Sequence, residues 1–141
     1  MRNTDPAFVR DLSDDKVEAL VEIMYLAATA DGDLSEVERA RFEECAERLT
    51  SRVVVGAELS KLIARARADL LRAGRDARLA AVKARLPDMD ARKLALALAI
   101  QITAADGVIR TSERELILHT ASALDIDGDT AADMVRDLTE K

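Results

Sequence analysis

The chain has 141 residues, 49% hydrophobic and 34% charged, with a net charge of −6 and only five Gly and two Pro. That length fits one domain with a real core, and a composition rich in Ala, Leu, Arg and Glu is a helical one. A single cysteine, Cys45, excludes an internal disulfide and a cysteine-based metal cage, and three aromatics, Phe8, Tyr25 and Phe42, leave too little stacking surface for single-stranded nucleic acid.

From the N-terminus, Thr4-Asp5-Pro6 predicts a helix start and a short helix over residues 4–12. Asp5 and Pro6 also stand where a signal peptide would carry a long apolar run. Ser13 or Asp14 caps a longer helix with Val17, Leu20, Val21, Met24 and Ala28 on one stripe, ending at Asp31-Gly32. Ser35-Glu36-Val37-Glu38 matches a capping box and opens a helix with Phe42, Cys45, Ala46 and Leu49 facing in. Val53-Val54-Val55-Gly56 reads as an irregular loop, since a strand there would have no partner. Leu59, Leu62, Ile63, Ala66 and Leu70 mark a helix over residues 57–73 that stops at Gly74, and another covers residues 76–86 before Pro87. Asp88 or Asp90 caps the next helix, whose Leu94, Leu96, Leu98, Ile100 and Ile102 leave almost no polar face, so it should be the central helix. Residues 94–105 are too few to span a bilayer, and direct membrane insertion is not expected. A helix over residues 111–124, a turn at Asp127-Gly128-Asp129 and a closing helix over residues 130–139 complete an all-α bundle of seven or eight helices in one domain.

Charge is distributed unevenly along this order. Residues 1–50 hold 6 Lys/Arg against 13 Asp/Glu, residues 61–86 hold 8 against 2, and residues 87–141 hold 6 against 11. A basic connector, residues 51–86, therefore joins two acidic segments, residues 14–50 and 88–126. The simplest expectation is that it packs across them and balances their charge; the alternative is an anion-binding surface.

The two acidic segments are copies. Ala30/Ala105, Asp31/Asp106, Gly32/Gly107, Glu38/Glu113, Arg39/Arg114, Ala46/Ala121 and Leu49/Leu124 are identical pairs at a constant offset of 75 residues. Each copy supplies the second half of a calcium-binding EF-hand loop: Asp31, Gly32, Leu34 and Glu38 match positions five, six, eight and twelve, as do Asp106, Gly107, Ile109 and Glu113. Ala27, Thr29, Ile102 and Ala104 stand where the first half needs oxygen ligands, so neither copy could enclose an ion alone. Packing of the two hairpins about a pseudo-twofold axis could bring Asp31, Glu38, Asp106 and Glu113 together as four hard donors, with Gly32 and Gly107 permitting the turns. Glu38 and Glu113 each lie four residues before a core position, Phe42 and Ile117, at the head of the buried stripe, where a carboxylate needs a partner. Capping is the competing explanation. It accounts for Glu38 through Ser35, but in the second copy Arg110 replaces that serine and the better box pairs Ser112 with Glu115, which leaves Glu113 without a capping duty.

The doubled Ala-Asp-Gly turn, closed each time by Glu-Arg at a helix start, resembles the TerB-like family associated with tellurite resistance, whose fold also occurs in membrane-linked co-chaperones of the DjlA type. The resemblance covers residues 14–138. It implies a bacterial, cytoplasmic stress-response protein of duplicated all-helical architecture that is not an enzyme. It further implies an acidic cluster, here Asp31, Glu38, Asp106 and Glu113, that binds a divalent cation, and an adaptor role toward another protein, one that could be membrane-associated. A metal-free helical interaction module using its acidic or basic face is the alternative. A carboxylate-bridged metal hydrolase is a weaker one, lacking a visible substrate cleft. His119 is expected on the surface beside Glu115, and without a second histidine, a placed serine or a Gly-rich loop there is no hydrolase triad or phosphate cradle.

Overall fold

The computed structural model describes residues 12–30, 32–104 and 109–139. Among these the chain forms seven α-helices and no strand: α1 (Asp14–Ala28), α2 (Glu36–Leu49), α3 (Gly56–Ala73), α4 (Arg75–Arg85), α5 (Met89–Thr103), α6 (Thr111–Ala123) and α7 (Gly128–Thr139). The short helix expected before residue 12 lies outside the described residues. Of the two cap candidates for α1, Ser13 is the cap: its hydroxyl accepts from the Lys16 amide, and Asp14 and Asp15 sit favourably at the positive end of the helix. Asp88 occupies the N-cap of α5, yet its carboxylate reaches across to the Lys16 ammonium, 3.3 Å away, rather than capping its own helix. Gly56 is already the first residue of α3 and Gly128 the first of α7, whose start is secured by the Asp127 carboxylate accepting from the Thr130 amide and hydroxyl.

Helix α5 is buried on all sides, as its sequence demands, and α1 runs along it as an equal partner. The apolar pattern in α1 reads as one stripe, but Ala19, Ile23, Leu26 and Ala27, which lie outside it, are buried as well, because α3 and α4 cover the face that α5 does not. Helix α2 packs on α1 and α5 from one side, and α6 and α7 cover α5 from the other. Between α3 and α4 the chain reverses at Gly74, whose φ of +86° is accessible at low cost only to glycine.

The basic connector packs across the acidic halves. Arg65 pairs with Glu18, Arg67 with Asp33, and Lys83 with Asp125. The strongest pairing is in the interior. Glu22, on α1, is 5% exposed, and its two oxygens accept from Arg78 Nε at 2.6 Å and Nη2 at 2.9 Å, with Arg85 Nη2 closing on the same carboxylate. Arg75 inserts its half-buried guanidinium at the C-terminus of α1 and donates to the carbonyls of Leu26 and Thr29, the latter at 3.1 Å. Cations at that end of a helix complement the unpaired carbonyls and the dipole.

Removing the buried carboxylate takes the main partner from two guanidiniums and leaves Arg78 only its longer contact with Asp69, at 3.5 Å. Glu22→Ala should lose about 3–5 kcal/mol of unfolding free energy in a urea titration. Arg67→Ala, which breaks a pair half exposed on both sides, should leave the urea midpoint at the wild-type value.

Candidate functional site

The C-terminal ends of α1 and α5 and the first turns of α2 and α6 surround one open cleft of about 290 Å³. Glu38 from the first repeat and Glu113 from the second both line it. Its floor is apolar, built from Ala27, Phe42 and Ile102, with Leu34 at one side. Phe42 is fixed by Tyr25, whose ring meets it edge to face at 6.0 Å and 81°. Burial and the neighbouring Asp33 carboxylate push the Tyr25 hydroxyl above its ordinary pKa and keep it neutral, and it sits 3.5 Å from Asp33 Oδ1.

The two glutamates do the same local job. Glu38 is the third residue of α2: its Oε1 accepts from the Ser35 amide at 2.9 Å while Ser35 Oγ accepts from the Glu38 amide at 3.1 Å, the full reciprocal box. Glu113 stands at the same position of α6, and its Oε1 accepts from the Arg110 amide, also at 2.9 Å. The expectation that Glu113 is free of capping duty is therefore corrected. The carboxylate half of the box needs only a backbone N–H from the N-cap residue, and arginine supplies one as well as serine does. The Arg110 guanidinium adds an ion pair to the same oxygen at 3.4 Å. Both caps fall on Oε1, so the second oxygen of each carboxylate is not consumed by them. Glu113 is the more sheltered, with a side chain 13% exposed, while Glu38 stands at the open rim.

Asp31, Asp106 and Gly107 lie outside the described residues; Gly32 is described and has a φ of +128°, a conformation that favours glycine. The structure thus brings together two of the four carboxylates singled out in the sequence. Among the described residues no three His, Cys, Asp or Glu side chains form a group able to hold a metal ion.

Sequence reasoning placed Cys45 on the inner face of its helix without linking it to a site and did not single out Arg41 or Thr103; all three line the cleft. Arg41 follows Glu38 by three residues, a spacing that puts both on one helical face and could have flagged it. Cys45 is buried with its thiol pKa pushed up by desolvation, as a small core residue, and Arg48 Nη2 contacts its sulfur at 3.4 Å. The Thr103 hydroxyl is occupied, donating to the Ala99 carbonyl. His119 pairs with Asp76 of α4, Nε2 to Oδ1 at 2.9 Å, rather than with Glu115; α4 and α6 pack together, and the inter-helix partner displaces the one on its own helix. That pair borders a different cleft, with Lys83 and Ser122.

A family model described as tellurite resistance protein TerB matches residues 17–136. No curated protein and no solved structure matches the chain significantly.

The amide and hydroxyl of Ser35 hold the Glu38 carboxyl below its ordinary pKa of 4.5. A carboxylate whose folded pKa is depressed contributes stability that is fully present above the unfolded value and is lost as pH falls through the folded one. Glu38→Gln keeps an oxygen acceptor for the cap but removes the charge. The stability difference between wild type and this variant, measured by urea midpoints, should therefore be present at pH 7 and shrink once pH drops below about 4.5.

Proposed function

The chain belongs to the TerB family, and on that premise we propose that it is a non-enzymatic tellurite-resistance protein of the bacterial cytoplasm. In this reading it binds one divalent cation between its two repeats and serves as an adaptor for another protein, one that could be membrane-associated. The observation that carries the cation reading is the cleft shared by Glu38 and Glu113. Two hard oxygen donors from separate repeats line one solvent-accessible space over an apolar floor, and each keeps an oxygen beyond the one its cap uses. Glu38 and Glu113 would hold the ion, and Asp31 and Asp106, which adjoin this cleft in sequence, are the further donors expected from the repeat. A cation there would tie α2 to α6, coupling the first turns of both repeats.

The non-enzymatic reading is supported by the chemistry of the cleft. Its thiol, Cys45, is held in the protonated form by burial, and the sole histidine borders the other cleft, paired with Asp76. The metal-free interaction module is favoured by one specific observation: the caps alone already give Glu38 and Glu113 a structural use.

Thermal unfolding of chelator-stripped protein with Ca²⁺, Mg²⁺, Mn²⁺ or Zn²⁺ separates the two. A site bound only in the native state should raise the midpoint by roughly 5–10 °C at a free ion concentration about 100 times Kd. The double variant Glu38→Gln/Glu113→Gln keeps both caps and should lose that rise. If no ion moves the wild-type midpoint, the cation reading falls and the carboxylates are caps.

A further inference from the structure

Resting on the adaptor half of the reading above and independent of the cation, we propose that the outer face of α3 docks an acidic amphipathic helix of a partner protein, with one apolar side chain of that helix seated between α1 and α3 beside Leu71. Leu71 is the most exposed large apolar side chain among the described residues, at 71%, while its neighbour Leu70 packs against the core. A single exposed leucine is ordinary on a soluble protein. This one borders a recess of about 140 Å³ lined by Tyr25, Thr29, Leu70 and Leu71, with the Arg67–Asp33 ion pair beside them. Water takes roughly 30 Å³ in the liquid, so the recess has room for a branched aliphatic side chain of about four carbons. The polar groups around it are satisfied within the chain: the Thr29 hydroxyl donates to the Tyr25 carbonyl, and the Tyr25 hydroxyl faces Asp33 Oδ1 at 3.5 Å. A group entering the recess is offered few open hydrogen bonds, which favours an apolar one.

The surface leading to this recess has the periodicity of a helix-docking seam. Ala64, Ala68 and Leu71 are exposed and recur at four and then three residues, on the side of α3 turned away from the buried Leu59, Ile63 and Ala66. The charge beside the seam selects the partner. Lys61, Arg65, Arg67 and Arg72 stand exposed on α3 against Glu58 alone, since Asp69, the other carboxylate of this helix, is partly buried. Each of the three arginines rests on a carboxylate, Glu18, Asp33 or Asp69, through part of its donor fork. That contact holds the guanidinium in place and leaves its other donors for a second carboxylate. A helix with Asp or Glu on both sides of its apolar face meets this surface with charge-assisted contacts at the rim and one desolvated anchor at the centre. A lipid surface fits it less well. A bilayer takes up a broad face of large apolar side chains, whereas here alanine fills the seam and the recess admits a single group.

The test uses chelator-stripped protein and a fluorescein-labelled helical peptide of about 14 residues, with leucines at i, i+4 and i+7 flanked by glutamates, beside the same peptide with lysine in place of each glutamate. Read by anisotropy, the acidic peptide should bind, more weakly as salt rises, and the basic one should not. Leu71→Ala and Arg72→Gln, both at exposed positions, should keep the wild-type unfolding midpoint while weakening the acidic peptide, the first by about tenfold and the second by about threefold. No binding of the acidic peptide, equal binding of the basic one, or wild-type affinity in Leu71→Ala overturns the proposal. Two rival occupants overturn it as well. A wild-type dimer in sedimentation that Leu71→Ala dissociates assigns the face to a second copy of the chain, and binding to phosphatidylserine vesicles that the same variant loses assigns it to a membrane. The thermal midpoint tests the cation separately, so its failure leaves this surface standing, whereas peptide binding indifferent to Leu71 keeps the adaptor role and moves it to another face.

Discussion

The interaction on which the arrangement depends is the buried carboxylate of Glu22, clasped by Arg78 and Arg85. Taking a carboxylate and guanidiniums out of water is expensive, and the attraction between them repays the cost only with good geometry and saturated hydrogen bonding. Both conditions are met: the Arg78 fork spans the two oxygens of Glu22, Arg85 adds a third contact, and no buried side-chain polar atom among the described residues lacks a partner. Apolar packing alone would let α4 slide or rotate along α1 with little penalty. A bidentate charge contact in the interior does not, because any other register leaves a buried charge unpaired. The ion triad therefore fixes where the connector lies more sharply than it contributes net stability.

From that register the geometry of the first turn follows. With Arg78 on Glu22, Arg75 falls one turn earlier on α4 and reaches the carbonyls of Leu26 and Thr29, closing the end of α1. Further along, ahead of α2, Asp33 is held by Arg67 of α3 and accepts from the Leu34 amide. Leu34 then lies in the cleft wall. The connector thus anchors the chain both at the end of α1 and at Asp33, ahead of the helix that carries Glu38. In the second repeat the residue at the Asp33 position is Val108, which offers no such anchor. The duplication preserved the glutamate at the helix start while the support around it diverged.

Much of this was legible in the sequence. Helix positions followed from apolar spacing and from punctuation by Gly and Pro, and boundaries differ from expectation by one or two residues, at Gly56, Arg75 and Gly128, where helices begin before the apolar pattern does. The central role of α5 was plain because its own sequence lacks a polar face. That of α1 was not, since a helix covered on two sides can still carry Glu22 in its interior if a partner far along the chain neutralises it, and periodicity has no means to see an ion pair 56 residues apart. The balance of connector against acidic halves was visible as a charge count, but the partner of each arginine was not. For the cleft, repetition located Glu38 and Glu113 and helical spacing could have added Arg41, while Cys45 and Thr103 belong to it through packing alone. The misjudged role of Glu113 has a general cause: a capping box looks for a side chain at the N-cap, whereas the carboxylate half depends only on the backbone N–H that every residue but proline has.

That last point bears on how one carboxylate can serve both structure and binding. A glutamate three residues into a helix is held by the N-cap amide and favoured by the helix dipole, so its charged form is stabilised before any ligand arrives and its rotamer is largely chosen. Ordering a long acidic side chain is a substantial part of what an ion must otherwise supply on binding. Two such caps line one cleft, and each leaves the second oxygen of its carboxylate outside the cap. The nearby charge of Arg41 further favours the ionised form of Glu38, and Arg110 adds an ion pair to Glu113. The Arg110 guanidinium rests on the capped oxygen of Glu113, whereas Arg41 acts on Glu38 through charge alone, so the two repeats support their matched glutamates with arginines on opposite sides of the cap, one at the N-cap and one a turn further into the helix.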